Sequence, residues 1–112
     1  MFTKKNSTTF RTLMEGVKMR PLAWEEKTIL CEFQMAKGYM LPAHEHPYEQ
    51  TGYLISGKLN FRIKEEWNEV EPGDSWSIPE NIEHQVEILE DSVVLELFSP
   101  LRTEYLPVQE QV

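Results

Sequence analysis

The chain has 112 residues, enough for one domain with a modest core and too few for two. Hydrophobic residues make up 40% and charged residues 27%, the balance of a folded soluble protein rather than of a disordered segment. With 19 acidic residues against 11 basic and a formal net charge of -8, the surface repels phosphate backbones and anionic bilayers, which argues against nucleic acid and membranes as partners.

The first segment, Met1 to Arg11, is polar and has no apolar stretch behind Lys4 and Lys5, so it does not read as a secretory signal. No run reaches transmembrane length, and a cytoplasmic location is expected. The whole chain, 1–112, reads as one domain with its core over about residues 13–106, and looser ends including Pro107 to Val112. From Thr28 onward apolar residues recur at every second position, the period of a half-buried strand. Ile29, Cys31, Phe33 and Met35 share one face. Cys31 is the only cysteine, so no intrachain disulfide exists, and its place in this run makes it a core thiol.

Further along, Leu59, Phe61 and Ile63 alternate with Asn60, Arg62 and Lys64. Turn chemistry marks Lys37-Gly38, Leu41-Pro42, Ser56-Gly57-Lys58, Glu65-Glu66, Glu71-Pro72-Gly73-Asp74, Pro79-Glu80-Asn81 and Glu90-Asp91. Strands of four to eight residues are expected between them, with no sustained helical period. That is the pattern of an all-β sandwich or barrel. Trp24, Trp67 and Trp76 read as barrel packing, Trp76 especially because it alternates with Ile78.

The three histidines fall in two clusters. His44 and His46, two residues apart on a strand, project from the same face and can reach one ion. Gln50 has the strand parity of Gly52 and Leu54. Its neighbour Glu49 is the rival ligand and has the parity of Thr51 and Tyr53. In the run Ser92 to Phe98 a single carboxylate, Glu96, interrupts a segment apolar on both faces. Burial should raise its pKa and make it a candidate acid or base, unless a lysine or arginine pairs with it. Pro100 ends that strand, so Arg102 is free to fold back over a barrel mouth and clamp a carboxylate, or else to stand in solvent.

Gly38, His44, His46, Gln50 and Gly57, followed after fifteen residues by Gly73, Pro79, Asn81 and His84, resemble the paired motifs of the cupin superfamily. The resemblance implies a small jelly-roll barrel, a double-stranded β-helix, in which His44, His46, Gln50 and His84 hold one divalent metal ion. Gln50 stands where most cupins have glutamate, leaving the ion its full charge. Asn81 replaces a glycine and is the residue after glycine best suited to positive φ. Three nitrogens and an amide oxygen accept nickel, zinc, manganese, iron or cobalt.

More narrowly, His-x-His-Pro-x-Glu-Gln at 44–50, with Glu96, Phe98, Ser99, Pro100 and Arg102, is similar to the small pectin-degradation cupins that linearise 4,5-unsaturated uronates. That resemblance implies catalytic roles for Glu96 and Arg102, with Arg102 and Phe98 contacting a sugar-acid substrate. Glu96 stands where the family usually has aspartate, and Tyr48, read as pocket lining, where it often has histidine. A binding or sensing cupin and a metal-dependent dioxygenase are the alternatives. A homodimer is expected from the small size and the fold.

Overall fold

The alternating pattern resolves into eight strands in the computed structural model, which describes residues 1–107. They are β1 (Arg11–Met14), β2 (Val17–Trp24), β3 (Ile29–Met35), β4 (Met40–His44), β5 (Glu49–Ile63), β6 (Glu66–Val70), β7 (Ser75–Ile78) and β8 (His84–Ser99). A single 3-10 turn, Thr103–Tyr105, follows. Part of the looser tail anticipated from Pro107 onward, Val108 to Val112, lies outside the described residues. Among the described residues no helix is long and apolar enough to cross a membrane.

All pairings are antiparallel, and the two longest strands hold the molecule together. The first half of β5 pairs with the last seven residues of β8, which β3 flanks on one side while β7 flanks β5 on the other. The second half of β5 pairs with the start of β8, flanked by β6 and β4. All eight strands thus form one hydrogen-bonded sheet, which β5 and β8 run through from end to end and fold into two facing halves, called the first and second sheet below; β1 and β2 extend the first beyond β3. Between the sheets lies an apolar core that includes Val17, Met19, Ile29, Cys31, Leu54, Leu59 and Val94, all fully buried. Cys31 is in it as expected. Burial pushes its thiol up to about 12, which keeps it protonated and unreactive.

Strand lengths depart from expectation. β5 has 15 residues and β8 has 16, because Ser56-Gly57-Lys58 and Glu90-Asp91 lie inside strands instead of ending them. The pairing shifts register between Leu54 and Leu59, so the ladder bends there without stopping. Gly57 makes this possible at φ +98, and the Ser92 hydroxyl accepts the Lys58 amide proton at 3.1 Å across the bend. Leu41-Pro42 is likewise inside β4, an edge strand with an irregular register, where a missing proline N–H costs nothing. The remaining turn signals behave as read. Asp74 caps its turn by accepting the Glu71 amide proton at 2.8 Å, and Asn81 adopts φ +60.

Candidate metal centre

His84 opens β8 and His44 closes β4, and the two are direct cross-strand partners. His46 lies in the connection after β4, not on the strand with His44 as the spacing suggested. Its backbone is nevertheless tied down, because the Asn81 amide donates to the His46 carbonyl at 2.8 Å. The turn of the second motif thus holds the loop of the first. One ring nitrogen from each of the three histidines lies within 4.8 Å of the others. Imidazole centroids are 4.1 Å apart for His44 and His84, 4.9 Å for His46 and His84, and 5.6 Å for His44 and His46.

Two tautomers follow from backbone partners. Nδ1 of His44 lies 2.8 Å from the Pro42 carbonyl, and Nδ1 of His84 2.8 Å from the Ile82 carbonyl. A carbonyl only accepts, so Nδ1 carries the proton in both, and Nε2 is left as a lone-pair donor. Nε2 of His84 is buried without a hydrogen-bond partner among the described residues. Burial also pushes this ring down to about 4, with His44, His46 and Arg102 acting in the same direction against the Ile82 carbonyl. Burial, then Arg102, lowers His46 as well. The downward shifts of His46 and His84 favour the uncharged rings that a divalent cation requires.

Gln50 is buried and Glu49 exposed, as strand parity indicated. Gln50 Oε1 lies 3.0 Å from His46 Nε2. The amide oxygen only accepts, so His46 Nε2 carries the proton of this bond and Nδ1 is the ring's unpartnered nitrogen among the described residues. Three converging imidazoles, with the Nε2 of His84 buried and unpartnered, fit a divalent metal, and Gln50 stands beside them where its amide oxygen would join the donor set once His46 gives up that proton.

The histidines face a cavity of about 60 Å³ between the sheets, whose walls include Gln50, Trp76, Glu96, Phe98, Arg102 and Tyr105. A larger depression of about 620 Å³, around Gly16, Ser56 and Ser92, contains no histidine and lies away from this chemistry. Glu96 is only 3% exposed. Neither lysine nor arginine pairs with it among the described residues; Trp76 Nε1–H donates to its Oε1 at 3.2 Å, and Oε2 has no partner. Burial pushes its carboxyl up to about 8, against smaller opposing effects of Gln50 and Trp76. Phe98 is fully buried against His46, at 6.0 Å between rings.

Arg102 folds back over the barrel mouth and is not a free surface arginine. Its guanidinium stands 4.1 Å from the Tyr105 ring centroid, 5.0 Å from Phe98 and 5.1 Å from Tyr48, while Nε donates to Glu104 at 2.7 Å. Tyr48 stands one layer out from the cavity wall, stacked under Arg102 with its hydroxyl 3.3 Å from Glu104. Two wall residues carry no distinguishing signal in the sequence. Tyr105 lies in a tail without periodicity. Trp76 alternates with buried Ile78 as any packing residue does, and only its position across β5 from Glu96 sets it apart.

A model of the cupin domain matches residues 31–99. Over 103 residues the chain is 28% identical to the pectin degradation protein KdgF of Dickeya dadantii (strain 3937), covering 90% of this chain and 94% of that protein. The solved structure of KdgF from Halomonas sp. matches with a TM-score of 0.89 at 25% identity, over 95% of this chain and 98% of that one. An RmlC-like cupin from Shewanella frigidimarina NCIMB 400 also reaches 0.89, at 20% identity over 94% of this chain and 95% of that one, and supports the fold alone. Since the matched region runs from Cys31 in β3 to the end of β8 and encloses all three histidines, the chain belongs to the cupin family.

Proposed function

We propose that this cupin is a metal-dependent enzyme acting on a small sugar acid, and that it linearises 4,5-unsaturated uronates released from pectin or alginate. The observation that carries the reading is the meeting of three groups at one cavity: three converging imidazoles with Gln50 beside them, a buried carboxyl that no lysine or arginine pairs with among the described residues, and an arginine over the mouth. The relative named for pectin degradation, similar along nearly all of both chains, supports the substrate class. A divalent ion held by His44, His46, Gln50 and His84 supplies Lewis acidity toward the substrate's oxygens, undiminished by any ligand carboxylate.

The protein's own groups account for binding and proton movement. The cavity is too small for a sugar ring, so it takes the reacting oxygens while the ring sits in the mouth under Arg102. Arg102 uses Nε on Glu104, which leaves both Nη groups to grip the uronate carboxylate. Phe98 forms the apolar floor, and Tyr48 backs the guanidinium.

Water adds across C4=C5: Glu96, held near a neutral pKa, gives its proton to C4, the water oxygen bonds to C5, and the proton that the water releases returns to Glu96. Opening then breaks the bond between C5 and the ring oxygen: Glu96 relays the hemiketal hydroxyl proton to the departing ring oxygen as the C5 ketone forms, and C1, left with two hydroxyls, loses water to become the aldehyde, so the linear product is an isomer of the substrate. Metal-loaded protein mixed with a lyase-generated unsaturated monouronate should abolish the ultraviolet absorbance of the conjugated double bond. Glu96→Gln should abolish turnover and keep substrate affinity. Absence of any absorbance loss with the parent protein would rule the activity out.

A further inference from the structure

Trp76, Gly52 and Glu96 occupy one row across three adjacent strands. Gly52 of β5 is the cross-strand partner of Trp76 on β7 on one side and of Glu96 on β8 on the other. The row works because its middle member has no side chain. A Cβ on Gly52 would sit 2.3 Å from Nε1 and from Cε2 of the indole, so the ring lies flat across the glycine and reaches the strand beyond. There its Nε1–H donates to Glu96 Oε1 at 3.2 Å. The other face of the indole is backed by Phe61, at 5.0 Å between ring centroids.

We infer that Trp76 is a positioning residue for Glu96. Its indole N–H, admitted by Gly52, anchors Oε1, so Oε2 is the working oxygen in the cavity. The two carboxylate oxygens are then unequal in a defined way. Oε1 is engaged, whereas Oε2 is buried and unpartnered among the described residues. A glutamate has three side-chain torsions and would otherwise sample several orientations, most of them unproductive for a proton transfer that depends on placement. The anchor removes that freedom. This inference rests on the activity proposed above, so its test reads the contact both with and without turnover.

Trp76→Phe keeps an aromatic ring over Gly52 and against Phe61 but removes the donor. On an unsaturated monouronate it should lower kcat by about tenfold or more while KM and bound metal stay within about twofold of the parent, since only placement of the acid is lost. Independently of turnover, the Trp76 indole N–H proton resonance, identified by its disappearance in Trp76→Phe, should move upfield in Glu96→Ala. An unchanged kcat in a folded, metal-loaded Trp76→Phe protein overturns the inference. So does an indole resonance indifferent to Glu96→Ala, which remains decisive if Trp76→Phe does not fold. If the parent has no turnover but the indole resonance moves, the assigned reaction fails while the Trp76–Glu96 anchor stands.

Discussion

Glu96 and His84 are buried in one cavity and are shifted in opposite directions, one up to about 8 and the other down to about 4. Their effects on stability are therefore opposed in sign. In the metal-free protein between pH 6.5 and 8, His84 is neutral when folded, and its unfolded form, half protonated at 6.5, loses its charge as pH rises, an opposing contribution of only about 0.4 kcal/mol. Glu96 is protonated in the folded state and ionised in the unfolded chain, so folding takes up a proton and stability falls as pH rises. Between the unfolded value of Glu96, 4.5, and that of His84, 6.5, the His84 contribution runs the other way and offsets it. Urea unfolding should thus give a metal-free protein less stable at pH 8 than at 6.5 by on the order of 1 kcal/mol, and Glu96→Gln should flatten that difference. A parent curve that is flat over this window would mean that Glu96 is ionised when folded. At this scale the sequence was readable wherever a residue's type clashes with its neighbours. Glu96 stood out as one charge in an apolar run, and Gln50 by its parity. Trp76 did not, since an aromatic residue in an alternating strand looks the same whether it only packs or also donates a hydrogen bond.

The strands themselves were legible by period and much less so by extent. Turn-forming residues such as Ser56-Gly57-Lys58 mark a place where the backbone leaves ideal β geometry, and this can be a hairpin or a bend inside a continuing ladder. Which of the two occurs is decided by the partner strand. Here β8 bends alongside β5, and Ser92 crosses the gap to Lys58. Gly57 has two reasons to be glycine: its φ of +98, and the 2.2 Å that would separate an added Cβ from the Ser92 hydroxyl, with the Asp91 carbonyl at 2.4 Å. Gly38 has only the first, at φ +90 with nothing within 4 Å. Gly57→Ala should therefore cost about 3 kcal/mol in urea unfolding, combining backbone strain with a clash, and Gly38→Ala about 1 kcal/mol from strain alone. Equal losses would show that the bend gives way easily and that the close packing of β5 on β8 contributes little.

For the molecule as a whole, the outer face of the first sheet is the feature that no segment covers among the described residues. The strand β8 turns Glu96 and Phe98 inward and Leu95 and Leu97 outward, and β5 turns Tyr53 and Ile55 to the same outer side. Tyr53 and Ile55 are 46% exposed and Leu97 is 37% exposed, next to half-buried Leu30 and Val93. A chain of net charge -8 repels its own copies, yet the charged side chains along this face, Lys18, the Arg20–Glu32 ion pair and Glu49, balance to zero. An apolar, locally neutral patch on an otherwise acidic surface is suited to a second copy of the same chain through a two-fold contact. We therefore predict a homodimer, with a mass by light scattering of twice 13.2 kDa. Tyr53→Glu combined with Leu97→Glu should yield the monomer, because four carboxylates would then face one another across the contact. The monomer should also unfold at lower urea, since these outward residues lie on the same two strands that hold Gln50 and Glu96, and a partner that binds only the folded state stabilises it by mass action. A parent protein that remains at 13.2 kDa at high concentration would leave this face free and exclude pairing through it.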